Sequence, residues 1–99
     1  MPRLLIPQGT TSVYWSQQDE TAFFRWLRSI PGVLGLEGVG QNLVVTLQSK
    51  RLSQEALQEL IALHTRYNLP MRGLAQFENA SNRPWFRSRK AHWYAKVFN

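Results

Sequence analysis

The sequence predicts a single α+β domain in which two helices pack on one face of an antiparallel sheet. Two segments repeat apolar residues at three- and four-residue steps, which is typical of amphipathic helices. Strand-like runs lie before, between and after them, in the order strand, helix, strand, strand, helix, strand. With 99 residues, 43% of them hydrophobic and 12% aromatic, the chain can bury one modest core.

The first predicted strand is Ser12–Ser16, whose β-branched and aromatic residues favour extended structure. A helix is predicted to follow, because the hydroxyl of Ser16 and the acid Asp19 three residues on resemble a capping box. Pro31–Gly32 ends this helix. Its predicted apolar face consists of Ala22, Phe23, Trp26, Leu27 and Ile30.

An antiparallel hairpin is predicted next. Its strands are residues 33–36 and 42–48, and the turn-rich residues 37–41 join them in a loop whose type the sequence leaves open.

A second helix begins after Ser53 as N-cap and ends at Asn68 and Pro70. Residues 71–77 carry enough apolar side chains to be predicted as a last strand. The predicted apolar face of the helix consists of Leu57, Leu60, Ile61 and His64, with Ala56, Leu63 and Tyr67 beside it.

This order of elements predicts a ferredoxin-like βαββαβ sandwich, with a four-stranded antiparallel sheet and two helices on one face. Residues 1–80 form the body. Residues 81–99, called the tail below, are predicted to be a basic, aromatic extension of the same domain. The tail is long enough to cover the sheet face that the helices leave open.

The tail holds nearly all of the excess charge. Seven cations and six acids give residues 1–80 a net charge of +1, whereas the tail has five cations and no acid. It also contains five large aromatic residues. Cations among aromatic rings suit an anionic, partly apolar partner.

Two interpretations of the tail remain open from the sequence. Its rings pack on the body and leave an incidental basic rim, or they form a binding surface directly. The candidate partner-binding residues are Arg83, Trp85, Arg87, Arg89, Lys90, His92, Trp93 and Lys96.

No catalytic or cofactor-binding residue is predicted. The chain has no cysteine and two histidines, and no His/Asp/Glu cluster has metal-ligand spacing. His64 falls on an apolar helix face, where a hydrogen-bonded core histidine is expected. The glycines from Gly32 to Gly40 span the predicted hairpin and precede no helix, so they do not form a phosphate loop.

The expected location in the cell depends on two features, a secretory leader and a membrane-spanning segment. The apolar residues before Pro7 are too few for a secretory leader, and no apolar run approaches a membrane span. A cytoplasmic protein without a membrane partner is therefore expected. The oligomeric state is left open.

The chain resembles small bacterial immunity proteins of polymorphic toxin and contact-dependent growth inhibition systems. The resemblance covers roughly residues 13–98 and consists of a pattern of core and aromatic positions. It implies a non-enzymatic cytoplasmic protein that binds and neutralises one cognate toxin domain. Because this chain is basic, it also implies either a target with an acidic face or a contact that lies away from a basic substrate groove. The segments that carry the resemblance are residues 20–31, 59–67, 74–77, 84–86 and 93–98.

Binding of a protein partner, such as a toxin domain, is the first functional hypothesis. The alternative is a nucleic-acid-binding domain. RNA-recognition modules of this fold stack bases on aromatics of the first and third strands. Here residues 42–48 contain no aromatic or basic residue, so nucleic-acid binding would use the tail.

Overall fold

The computed structural model describes residues 1–7 and 14–99 as an α+β fold. Three strands form one sheet, and α-helices and a 3₁₀ helix accompany it. In chain order the elements are β1 (Arg3–Pro7), α1 (Gln17–Ser29), β2 (Val33–Val39), β3 (Asn42–Leu47), α2 (Gln54–Arg66), the 3₁₀ helix (Arg72–Phe77), α3 (Arg83–Phe86) and α4 (Tyr94–Phe98).

The sheet is antiparallel with the strand order β1-β3-β2. β2 and β3 form the predicted hairpin, whose two-residue turn begins at Gly40 with a positive φ of 60°. A positive φ at the first turn residue is what a type II′ hairpin turn requires, and glycine adopts it without strain. The pairing of β2 with β3 contains a bulge between Val33 and Gly35.

Both predicted helices form where the capping residues place them. The Ser16 hydroxyl accepts a hydrogen bond from the Asp19 amide at 3.1 Å, and the Ser53 hydroxyl accepts one from the Ala56 amide at 3.1 Å. Beyond α2, Asn68 adopts the predicted left-handed conformation with a φ of 53°.

One hydrophobic core joins the helices to one face of the sheet. Leu4 and Ile6 of β1 and Val45 of β3 are buried with the apolar stripes of α1 and α2. The opposite sheet face keeps Leu5 and Val39 more than half exposed. In α1 the predicted face is present except for Ala22, which is exposed.

The predicted four-stranded ferredoxin-like sheet is wrong. Of the predicted first strand, residues 12 and 13 lie outside the described residues, and residues 14–16 are not in the sheet. The sheet takes Arg3–Pro7 instead, because Leu4 and Ile6 alternate inward. The predicted last strand is the 3₁₀ helix. Its three-residue repeat buries Met71, Leu74 and Phe77 together.

The tail packs on the side of the sheet that carries the helices. Phe86 of α3 and Val97 of α4 belong to the same buried cluster as the α2 leucines. The predicted alternative, a tail that covers the open sheet face, is therefore wrong. The tail is also not extended, since it forms two short helices in which Phe86 is buried and Trp85 is half-buried beside it.

Candidate docking surface

Two reciprocal hydrogen bonds between Asn79 and Asn82 stabilise the backbone turn at the start of the tail. The backbone amide of Asn79 donates to the side chain of Asn82, and the amide of Asn82 donates to the side chain of Asn79, both at 2.9 Å. The buried Asn82 side chain also donates to the Phe77 carbonyl oxygen at 2.8 Å. The turn between the 3₁₀ helix and α3 therefore has a defined geometry.

Glu78 then joins two tail cations to the body. Its carboxylate accepts hydrogen bonds from Arg83 Nε at 2.9 Å, from Arg87 Nε at 2.7 Å and from Arg87 Nη2 at 2.9 Å. Chiefly through the Arg87 hydrogen bonds, this arrangement lowers the pKa of Glu78 to about 2. The Arg87 guanidinium also lies 4.3 Å from the centre of the Phe98 ring. Arg87 thus holds α4 against the end of the 3₁₀ helix.

Aromatic contacts complete the attachment. The Phe86 ring is fully buried, and its centroid lies 5.0 Å from that of Phe98. The Trp93 indole donates from Nε1 to the Phe86 carbonyl oxygen at 2.8 Å and meets the Trp85 ring edge-on at 6.2 Å. Trp85 and Trp93 are both half-buried. The two indoles are therefore held in fixed positions and still reach the surface.

The remaining tail cations stand outside these contacts. Arg89, Lys90 and Lys96 are exposed, and none of them forms an ion pair within residues 1–7 and 14–99. His92 is also exposed, with its ring 5.0 Å from that of Trp93. These four residues and the two indoles are the candidate residues of the tail that reach the surface without pairing with Glu78, and we call them together the basic aromatic surface.

A small cleft lies where the tail meets α2. Its volume is about 280 Å³, and Gln58, Ile61 and Ala62 of α2 form one side. His92 and Trp93 form the other side. We call it the α2–tail cleft.

The structure divides the eight candidate residues into two groups. Arg83 and Arg87 are bound to Glu78 and serve to attach the tail, as do the inner faces of Trp85 and Trp93. Arg89, Lys90, His92 and Lys96 lie together in sequence at the surface. The α2 side of the cleft was missed, because the apolar pattern of α2 places Ile61 in the core and gives no reason to single out Ala62.

The indole of Trp15 was also not assigned to a site by the sequence. It precedes the N-cap of α1 and is 95% exposed. The aromatic residues of this segment favour a strand when the sequence is considered alone, so the exposure of the Trp15 side chain was not expected.

His64 is the buried histidine that the apolar face of α2 predicts. Its Nδ1 donates to the Leu60 carbonyl oxygen at 2.7 Å. Burial lowers the pKa of His64 from 6.5, because desolvation disfavours the charged ring. The hydrogen bond to Leu60 raises the pKa, but its effect is smaller. The neutral ring is thus the form that the folded protein favours.

The described part of the chain contains no group of three or more His, Cys, Asp or Glu side chains placed to hold a metal ion. Among the same residues, no helix combines the length and apolar character needed to cross a bilayer.

Comparison with known proteins found no protein-family model, no curated protein and no solved structure that matches this chain.

Proposed function

We propose that this chain is a non-enzymatic, cytoplasmic protein-binding module of the immunity type, which binds an acidic face of a cognate toxin domain through the basic aromatic surface. The observation that carries the proposal is the fixed placement of two half-buried indoles in a segment with three exposed cations that have no carboxylate partner among the described residues. Aromatic and arginine side chains are enriched among the residues that dominate interface energetics.

The attachment of the tail favours binding because it removes part of the cost of ordering. A free arm with five cations would lose conformational entropy when it binds. Here the Glu78 cluster, the buried Phe86 ring and the Trp93 hydrogen bond hold the surface in place beforehand. The exposed cations add long-range attraction to an acidic partner, which raises the association rate more than the affinity.

A protein partner suits this geometry better than a nucleic acid. Bases stack on exposed aromatic faces. The Trp93 ring is instead half-buried and meets the rings of Trp85 and His92 edge-on. Two of the five tail cations are bound to Glu78 and are not available to phosphates.

The experiment is affinity purification from the native cell with a charge-neutralised variant. Arg89→Gln, Lys90→Gln and Lys96→Gln together remove the free tail cations. The control is the triple variant Arg3→Gln, Lys50→Gln and Arg51→Gln, which removes the same charge from exposed positions outside the tail.

We expect a stoichiometric protein partner that the wild type and the control retain and the tail variant loses. Co-expression of this chain is also expected to relieve the toxicity of that partner. Recovery of no stoichiometric protein, or equal recovery by both triple variants, would contradict the proposal. A gel-shift titration at two salt concentrations tests the alternative, since specific nucleic-acid binding would weaken steeply with salt.

A further inference from the structure

The α2–tail cleft differs in chemistry from the basic surface around it. It is lined by Ile61, which is almost fully buried in the core, by Ala62 and by Trp93. Gln58 and His92 complete the lining. No carboxylate lines it among the described residues.

The size of the cleft indicates what it can hold. At about 280 Å³ it is smaller than the roughly 300–1,000 Å³ typical of sites for small molecules and cofactors. An apolar lining also gives no compensation for a buried charge. A single large aliphatic or aromatic side chain fits both the volume and the lining.

Both walls are rigid before anything binds. Ile61 and Ala62 lie within the 13-residue helix α2, and Trp93 is held by its hydrogen bond to Phe86 and by the Trp85 ring. Ala62, an exposed residue of α2, contributes only a methyl group to the lining. A preformed pocket of this kind favours insertion of an anchor residue, since little freedom is lost on the protein side.

Two exposed cations lie close in sequence to the residues that line the cleft. Lys90 lies two residues before His92, and Lys96 of α4 follows Trp93 by three residues. The carboxylate of Glu59, next to Gln58 in sequence, is turned toward α1, where it accepts a hydrogen bond from Trp26 Nε1 at 2.8 Å. Glu78 is already occupied by Arg83 and Arg87.

We propose that the α2–tail cleft receives a large apolar side chain of the partner protein, and that the aspartates or glutamates flanking that side chain bind Lys90 and Lys96. This inference rests on the proposed function and adds the chemistry of the recognised segment, namely an apolar anchor next to carboxylates.

The test uses a phage-displayed library of random 12-residue peptides, selected on the full-length protein. Selected peptides are then synthesised with a fluorescein label and titrated by fluorescence polarisation. Ala62→Trp fills the cleft. Gln54→Trp places the same ring at an exposed position on α2 that does not line the cleft, and it serves as the matched control.

We expect enriched peptides with one large apolar residue flanked by Asp or Glu. Ala62→Trp should weaken their binding about tenfold or more, whereas Gln54→Trp should leave it within about twofold. Lys90→Gln combined with Lys96→Gln should weaken it and reduce its salt dependence. In the wild type, the peptide should shift the NMR signals of the Ala62 methyl group and the Trp93 indole, a readout that does not depend on how well Ala62→Trp folds.

Peptides that bind without shifting the Ala62 and Trp93 signals would overturn the inference, as would enrichment of a motif without an apolar residue or without acids. Displacement of the peptide by a 12-nucleotide single-stranded RNA that itself binds the cleft would also overturn it. If peptide binding requires Lys90 and Lys96 but not Ala62, the cleft assignment falls and the basic aromatic surface stands. If peptides bind the cleft but no toxin partner is recovered from cells, the proposed function falls alone.

Discussion

Replacement of Phe86 by alanine measures how firmly the tail belongs to the core. The Phe86 ring is fully buried, it packs edge-on against Phe98, and its backbone carbonyl accepts the Trp93 indole hydrogen bond. Truncation of a buried phenylalanine costs about 3–5 kcal/mol, because transfer free energy is lost and a cavity remains. For a chain of this size, about 1 kcal/mol lowers Tm by roughly 4–8 °C. We therefore expect Phe86→Ala to lower Tm by roughly 12 °C or more.

The assay is urea unfolding followed by two signals. Far-UV circular dichroism reports the helices of the body, and tryptophan fluorescence includes the tail through Trp85 and Trp93. We expect the two transitions to coincide in the wild type, as in a single cooperative unit. Trp15→Ala is the control, because a 95% exposed side chain should change the free energy of unfolding by no more than about 0.5 kcal/mol.

A loss below about 1 kcal/mol for Phe86→Ala would refute this reasoning. So would a fluorescence transition that precedes the loss of helix signal in the wild type, since the tail would then detach before the body unfolds. In that case the basic aromatic surface would be a flexible arm, and the argument from preorganisation would fail with it.

Two further predictions concern pH. Glu78→Gln removes the ion pairs with Arg83 and Arg87 and should cost about 1 kcal/mol at neutral pH, the scale of partly exposed pairs. Because folding lowers the pKa of Glu78 to about 2, this contribution is present above its ordinary value of 4.5 and is lost as the pH falls toward 2. Urea titrations should therefore show the two proteins converging in acid; a constant gap would contradict the assignment. Burial lowers the pKa of His64 below 6.5, so the unfolded chain binds the proton first as the pH falls. The contribution of neutral His64 to stability is therefore present above pH 6.5 and is lost below it. Wild type and His92→Gln should both lose stability as the pH falls through 6.5, and a profile that stays flat there would contradict the burial of a neutral His64.

Local signals in the sequence were sufficient for the two helices and the hairpin. The hydroxyls of Ser16 and Ser53 fix the helix starts through their own hydrogen bonds, and Asn68 ends α2 through its own backbone angle. Such features depend on a few neighbouring residues, so tertiary structure rarely overrides them.

The sheet could not be predicted in the same way. Pro2 directly precedes β1 and Pro7 is its last residue; prolines are usually found in turns but are tolerated in an edge strand. The apolar content of residues 71–77 predicts a strand, which is wrong. The spacing of Met71, Leu74 and Phe77 by three residues was the signal for a 3₁₀ helix.

Charge and aromatic content in the sequence were sufficient to locate the candidate residues in the tail. They did not show which of these residues attach the tail to the body and which do not. That division depends on Glu78, which belongs to the body and lies five residues before Arg83 and nine before Arg87. Only the fold of the tail brings both guanidinium groups to one carboxylate.

The edge strands of the sheet, β1 and β2, are not free and regular as in a simple open sheet. Beside β1, the 3₁₀ helix approaches so closely that a methyl group at Gly73 would lie 3.1 Å from the Leu4 side chain. On β2, the irregular pairing between Val33 and Gly35 interrupts the regular spacing of the strand. An unpaired edge strand can pair with a strand of another chain, and repeated pairing leads to fibrils. With the 3₁₀ helix beside one edge and a bulge at the other, we expect the exposed Leu34 and Val39 of β2 to promote little strand pairing between copies of this chain.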